Sequence, residues 1–126
     1  YVQYCYARIC SIFSNSKTPG NNNYGRLDKS FGFNDEEIKI IRKLSEWPKC
    51  IETSINKLEP HRLTTYLYQL SSIFHSYWNM GRESEDFRFL DKDKKIDTNK
   101  AVLLNSILLV IKNGMEIIGV DTPENM

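Results

Sequence analysis

The segment between residues 98 and 113 constrains this chain most, because its apolar side chains point to nearly every side of a helix. In a soluble protein, such a helix is typically the buried element on which the others pack. Its longest uninterrupted aliphatic run, Ile107 to Ile111, has five residues, against about 20 for a membrane-spanning helix. We therefore predict a buried core helix from Thr98 or Asn99 to Asn113, stopped at Gly114, and no membrane partner.

Two segments in the first half of the chain also repeat apolar side chains at helical spacing. The first covers residues 2–15 and ends before a run of turn-forming residues at 18–23. Asn34 is a suitable N-cap for the second, and the three acidic residues that follow it suit the positive first turn. Pro48 is predicted to end this second helix.

The middle of the chain predicts two more helices. A short one has Cys50 or Ile51, Ile55 and Leu58 on its inward face. A long one runs from about His61 to Met80 and is closed by Gly81, and a charged loop with a small apolar anchor follows it. No segment alternates strictly as a strand does, so the predicted fold is an all-α bundle of about five helices.

Composition agrees with one helical domain over residues 1–126. Apolar residues make up 40% of the chain, whereas glycine and proline together number only ten (six plus four). A net charge of +1 gives no compositional support for nucleic-acid binding, and we predict no DNA partner.

The cysteines and acidic residues suggest no reactive site. The three cysteines, Cys5, Cys10 and Cys50, are odd in number and include no C-x-x-C pair, which favours a reducing cytoplasm over a secreted disulfide framework. Neither histidines nor cysteines show the spacing of paired zinc ligands, and no phosphate-binding glycine motif is present. The chain is predicted to hold no metal and no catalytic residue.

Two polar stripes carry large side chains that the predicted core does not need. Tyr4, Arg8, Ser11 and Asn15 share the face of the first helix opposite its apolar stripe. Tyr68, Ser72, His75 and Asn79 share a second stripe on the long helix. A tyrosine and an arginine one turn apart offer a platform for a stacked base. The alternative is structural, with Tyr4 packed on a loop and the His75–Asn79 pair capping one.

Three blocks of the sequence carry a resemblance to a known family: residues 1–12 (YVQYCYARICSI), 61–79 (HRLTTYLYQLSSIFHSYWN) and 110–126 (VIKNGMEIIGVDTPENM). Together they resemble the C-terminal anticodon-binding domain (DALR type) of arginyl-tRNA synthetase, a class I aminoacyl-tRNA synthetase. Two positions depart from the commoner family pattern, since Cys5-Tyr6 replaces Ala-His and Trp78 replaces Tyr.

The resemblance implies a cytoplasmic enzyme that activates arginine with ATP and Mg²⁺ and attaches it to tRNA. The two adenylate-binding motifs of the family's catalytic domain are absent from these 126 residues. We therefore expect this chain to be the tRNA-reading part of a longer enzyme, ending naturally at Met126 and without a cofactor of its own. Its expected partners are the anticodon loop of arginine tRNA and the enzyme's catalytic domain.

The same resemblance suggests which residues meet the RNA. All arginine codons have a central G, so every arginine anticodon has a central cytosine, which the family reads between its first helix, its long helix and its tail. On this chain the tail covers residues 120–126. The predicted RNA-binding residues are Tyr4, Arg8, Ser11, His75, Tyr77, Trp78, Asn79, Val120 and Met126.

Two other interpretations remain open at this point. One is the equivalent helical domain of a different synthetase subunit, such as the β chain of the glycine enzyme. The other is a helical bundle that binds a protein and has lost its RNA partner.

Overall fold

A computed structural model describes residues 1–16 and 32–124. Within those ranges the only strand-like pairing is an isolated bridge between Leu90 and Ile96, so the predicted all-α class is confirmed. The turn-forming run at 18–23 lies outside the described residues. The elements are α1 (Val2–Asn15), α2 (Asp35–Ser45), α3 (Trp47–Asn56), α4 (His61–Glu83), a short 3₁₀ turn (Glu85–Phe87) and α5 (Thr98–Ile118).

The long helix α4 is the centre of the bundle and contacts each of the other α-helices. Its Leu70 and Phe74 are fully buried, and they share the core with Leu104, Ile107 and Ile111 of α5. The burial predicted for α5 therefore holds along one stripe. Other α5 side chains, such as Leu109, are exposed.

Helix α5 is also long and apolar enough to cross a membrane by length and composition, with a mean hydropathy of 1.6 over its best 18-residue window. A count of uninterrupted aliphatic residues missed this, because single polar residues interrupt the segment without lowering its mean hydropathy much. The fully buried stripe of Ala101, Leu104, Ile107 and Ile111 gives this apolarity a structural reason in the fold.

Both long helices continue past the glycines that were predicted to stop them. Gly114 lies inside α5, at a point where side chains of α3 and α4 come too close for any residue larger than glycine. A Cβ there would lie 2.8 Å from Leu67 Cδ1 and 3.0 Å from the Trp47 ring. The residue that ends α5 is Gly119, whose φ of +77° is the left-handed conformation that glycine adopts without strain. Likewise, α4 passes Gly81 and ends at Glu83.

The predicted inward face of α3 is wrong in part. Ile55 and Leu58 are 65% and 86% exposed, whereas Trp47 and Ser54 of the same helix are buried. Pro48 does not interrupt α2, which has already ended, but stands in the first turn of α3. The large Trp47 ring packs on Tyr66 with 5.0 Å between ring centroids and sets the rotation of α3.

Asn34 caps α2 as predicted. Its side chain accepts a hydrogen bond from the Glu37 N–H at 2.8 Å, and the Glu37 carboxylate accepts one from the Asn34 N–H at 3.0 Å. We expect Asn34→Ala to lower the free energy of unfolding by about 1 kcal/mol, because the side-chain oxygen that accepts from the Glu37 N–H is lost. Urea unfolding followed by circular dichroism measures it. Ser45→Ala, at the exposed end of the same helix, is the control and should cost less.

The loop after α4 is held by Phe89, which confirms the predicted apolar anchor. Its buried ring lies 5.8 Å from the ring of Phe74, 5.0 Å from Tyr77 and 6.3 Å from Trp78, between centroids. Phe89 therefore packs against Trp78 and fixes the position of the loop beside α4.

Candidate nucleic-acid interface

The Arg8 guanidinium on α1 lies against two aromatic rings, one from α1 and one from α4. The Arg8 guanidinium is 4.7 Å from the centroid of the Tyr4 ring and 5.0 Å from that of Trp78. Arg8 also donates a hydrogen bond to the Tyr4 hydroxyl. We call Tyr4, Arg8 and Trp78 the stack. Both kinds of plane, aromatic and guanidinium, are surfaces on which nucleobases stack.

The stack stands beside an open cavity of about 300 Å³. Ser11 and Asn15 lie one and two turns beyond Arg8, as predicted, and Asn15 Nδ2 donates to Ser11 Oγ at 3.3 Å. Leu90, from the loop that Phe89 holds, closes another side. The lining residues are Tyr4, Ala7, Arg8, Ser11, Ile12, Asn15, Trp78, Leu90 and Glu124.

The C-terminal segment reaches this cavity by folding back along α1. The Val120 N–H donates to the Met115 carbonyl at 2.8 Å, and Gln3 Nε2 donates to the Asp121 carbonyl at 2.9 Å. Glu124 then lines the cavity, whereas Val120 is exposed and does not. Met126, also predicted to bind RNA, lies outside the described residues.

His75 is buried rather than displayed on a polar stripe. Its ring is 4.9 Å from that of Tyr1, 5.9 Å from that of Tyr4 and 5.3 Å from that of Phe74, between centroids. Its Nε2 and the Trp78 Nε1 have no hydrogen-bond partner within the described part of the chain. The predicted exposure failed because the aromatic rings of α1 cover this side of α4. His75 supports Tyr4 and does not itself face solvent.

Tyr77, which was predicted to bind RNA, lies in the core and is not accessible to a ligand. It is buried, and its hydroxyl donates to Glu37 Oε2 at 3.1 Å. Burial, together with the Glu37 charge, raises the pKa of the Tyr77 phenol. Asn79 is exposed on α4, but it does not line the cavity.

A larger cavity, of about 520 Å³, lies among α2, α3 and α4. The cations around it already have anionic partners. Arg62 is paired with Glu59, and Lys43 lies 3.7 Å from Glu46. We place the candidate site at the stack because Arg8 has no carboxylate within salt-bridge distance among the described residues, and its guanidinium lies against two rings instead.

The buried imidazole makes stability depend on pH. Burial first, and then the positive charges of Arg8 and the Tyr1 amino group, lower the pKa of His75 from its ordinary value of 6.5. The unfolded chain therefore binds more protons in the interval between the lowered and the ordinary pKa. Stability from this group is complete above about pH 6.5 and is lost as the pH falls.

We expect the free energy of unfolding to fall more in the parent chain than in His75→Gln between about pH 7.5 and about pH 5. Urea unfolding at each pH measures the two differences. His61→Gln removes an exposed histidine and is the control. Equal falls in the parent chain and in His75→Gln would show that His75 is already accessible to protons in the folded state.

Comparison with known proteins shows the family of this helical domain. Residues 2–126 match the model of the DALR anticodon binding domain family. Arginine–tRNA ligases of Pelagibacter ubique, Rickettsia africae and Roseobacter denitrificans are 53%, 40% and 36% identical to this chain and cover all of it. The chain spans only 22–23% of the length of these relatives. Because the family model covers all but the first residue, this chain belongs to the DALR anticodon binding domain family.

Proposed function

We propose that this chain reads the anticodon loop of arginine tRNA for a cytoplasmic arginine–tRNA ligase. The observation that carries the proposal is the stack of Tyr4, Arg8 and Trp78 beside a cavity about 300 Å³ in volume. The catalytic domain of the same enzyme is the second proposed partner. ATP and Mg²⁺ are assigned to that domain, and this chain supplies no catalytic group.

To be recognised, a base of the loop must turn out of the loop, stack on a flat side chain and form hydrogen bonds along its edge. Tyr4 and Arg8 offer the plane, because they lie on the outside of α1. Arg8, Ser11 and Asn15 offer polar atoms along one side of the cavity. A central cytosine that stacks on Tyr4 or Arg8 would therefore present its Watson–Crick edge toward α1.

The net charge of +1 limits how much attraction to phosphates alone can contribute. We therefore expect base contacts, rather than a broad basic surface, to supply most of the discrimination between RNAs. The affinity of this chain should depend strongly on the identity of the central base.

The test is the affinity of the chain for arginine anticodon stem-loops that differ only in the central base. Replacing the cytosine should weaken binding by about 5- to 150-fold, the range expected when one well-paired base contact is lost. Fluorescence anisotropy with labelled stem-loops measures it. Equal affinity for all four central bases would contradict the proposal and favour a protein-binding bundle.

A second pair of RNAs separates the arginine assignment from the glycine one. Glycine codons also have a central G, so glycine anticodons share the central cytosine and differ in the neighbouring base that pairs with the first codon position. Tighter binding of the arginine stem-loop supports the proposal. Tighter binding of the glycine stem-loop would support the glycyl β-chain interpretation.

A further inference from the structure

We propose that the Glu124 carboxylate makes the cavity selective for cytosine over uracil, an inference that rests on the proposed function. Cytosine and uracil have the same size and the same stacking face. On their Watson–Crick edges they differ at two adjacent positions: cytosine has an N4 amino donor and an N3 acceptor, where uracil has an O4 acceptor and an N3–H donor. An acceptor placed at the first of these positions, opposite N4 or O4, separates the two bases.

The tail that carries Glu124 is attached to the folded domain. Two hydrogen bonds hold the start of the tail. The Val120 N–H donates to Met115 of α5, and the Gln3 side chain of α1 donates to the Asp121 carbonyl. The Glu124 charge also acts on α1 beside the cavity: burial first, and then this charge, raise the pKa of the Cys10 thiol. Glu124 is thus a wall of the cavity rather than a free end.

Among the described residues that line the cavity, Glu124 is the only one whose side chain acts solely as a hydrogen-bond acceptor at neutral pH. Arg8 and Trp78 can only donate. Hydroxyl groups, as in Tyr4 and Ser11, donate or accept as required, and a side-chain amide does both. Only an obligate acceptor rewards an amino group and rejects a carbonyl oxygen at the same position.

Glu124 therefore favours the binding of cytosine and disfavours the binding of uracil. The cytosine N4 amino group donates to a carboxylate, which is a recognised protein–base pairing. The uracil O4 would instead face the carboxylate as a second acceptor, leaving both oxygens without a donor. Arg8 lines the same cavity and can donate to O2, which cytosine and uracil share, so Arg8 contributes affinity to both.

The experiment measures the affinity of the 126-residue chain and its variants for two arginine anticodon stem-loops, one with central cytosine and one with central uracil. In Glu124→Gln, the amide presents either an oxygen to cytosine or an N–H to uracil. We expect this variant to retain cytosine binding and to gain uracil binding, so the preference falls by about 5- to 150-fold. Glu124→Ala should lose affinity for the cytosine RNA and should gain less affinity for the uracil RNA than Glu124→Gln does, because it removes the acceptor opposite O4 without supplying a donor.

Glu116→Gln is the matched control, because it removes the same charge from an exposed position on α5 outside the cavity wall. It should alter both affinities equally and leave the preference unchanged. A Glu124→Gln variant with the parent preference would overturn the inference while leaving the proposed function intact. A parent chain without any preference for cytosine would instead overturn the proposed function.

Discussion

Replacing Phe74 with alanine should lower the free energy of unfolding by about 3–5 kcal/mol, the usual cost of removing a fully buried aromatic ring. Phe74 has no exposed surface, and its ring lies against that of Phe89 in the loop and that of its neighbour His75. The cavity left behind cannot close readily, because helices packed on several sides of α4 are rigid. Thermal unfolding followed by circular dichroism should show a melting temperature lower by about 10–20 °C.

Ile55→Ala is the matched control for Phe74→Ala. Ile55 is a large apolar residue that is 65% exposed, and truncating it should change stability by no more than about 0.5 kcal/mol. If Phe74→Ala costs as little as Ile55→Ala, the packing described between α4 and the loop is not present in solution.

Truncating the stack should weaken RNA binding without weakening the fold. Tyr4 is 45% exposed, so Tyr4→Ala removes little core. Loss of one stacking aromatic typically costs about 1–3 kcal/mol of binding free energy, or about 5- to 150-fold in affinity. Stem-loop affinity and melting temperature, measured on the same variant, separate the two effects.

Arg8 is tested with two variants, because charge and plane contribute differently. Arg8→Lys keeps the charge but loses the planar guanidinium that lies against the two rings. Arg8→Ala loses both. If Arg8 meets a phosphate, only Arg8→Ala should make the salt dependence shallower, by roughly 0.7 in the log–log slope for single-stranded RNA. If Arg8 instead meets the O2 edge of the base, both variants should relax the preference for a central pyrimidine over a purine at an unchanged slope, and should leave the preference for cytosine over uracil as it was.

Tyr68→Ala is the control for the stack, because Tyr68 is a 56% exposed tyrosine on α4 that does not line the cavity. It should leave stem-loop affinity unchanged. Stable Tyr4→Ala and Arg8→Ala variants with the affinity of the parent chain would remove the α1 face from the binding surface.

Periodicity was sufficient to predict the helices and the α1 face. A spacing of 100° per residue decides which side chains share a face whatever that face contacts, so Tyr4, Arg8, Ser11 and Asn15 were grouped correctly. The same spacing could not show that α1 covers the stripe containing His75, because burial depends on which helix packs there. For that reason, His75 is buried although Tyr68 and Asn79 of the same stripe are exposed.

Two further features had no local signal in the sequence. A glycine that stops a helix and one that admits a close neighbour look alike along the chain, and only the packing of Leu67 and Trp47 separates Gly114 from Gly119. Leu90 lies in a charged loop, and its place in the cavity wall follows from the burial of Phe89 beside it. Both features depend on contacts between residues far apart in the sequence.

The bond between Gln3 and Asp121 joins positions 118 residues apart. The cavity wall therefore combines the first helix with the last segment described, and it is incomplete in any chain that has not yet added residue 124. During synthesis, α1 leaves the ribosome with Tyr4 and Arg8 already in place, but their partners on α4 and in the tail arrive last. Contacts of such high sequence separation form late in folding. A chain that lacks residue 124 therefore lacks one wall of the cavity, and the complete wall forms only after both ends of the described domain have been made.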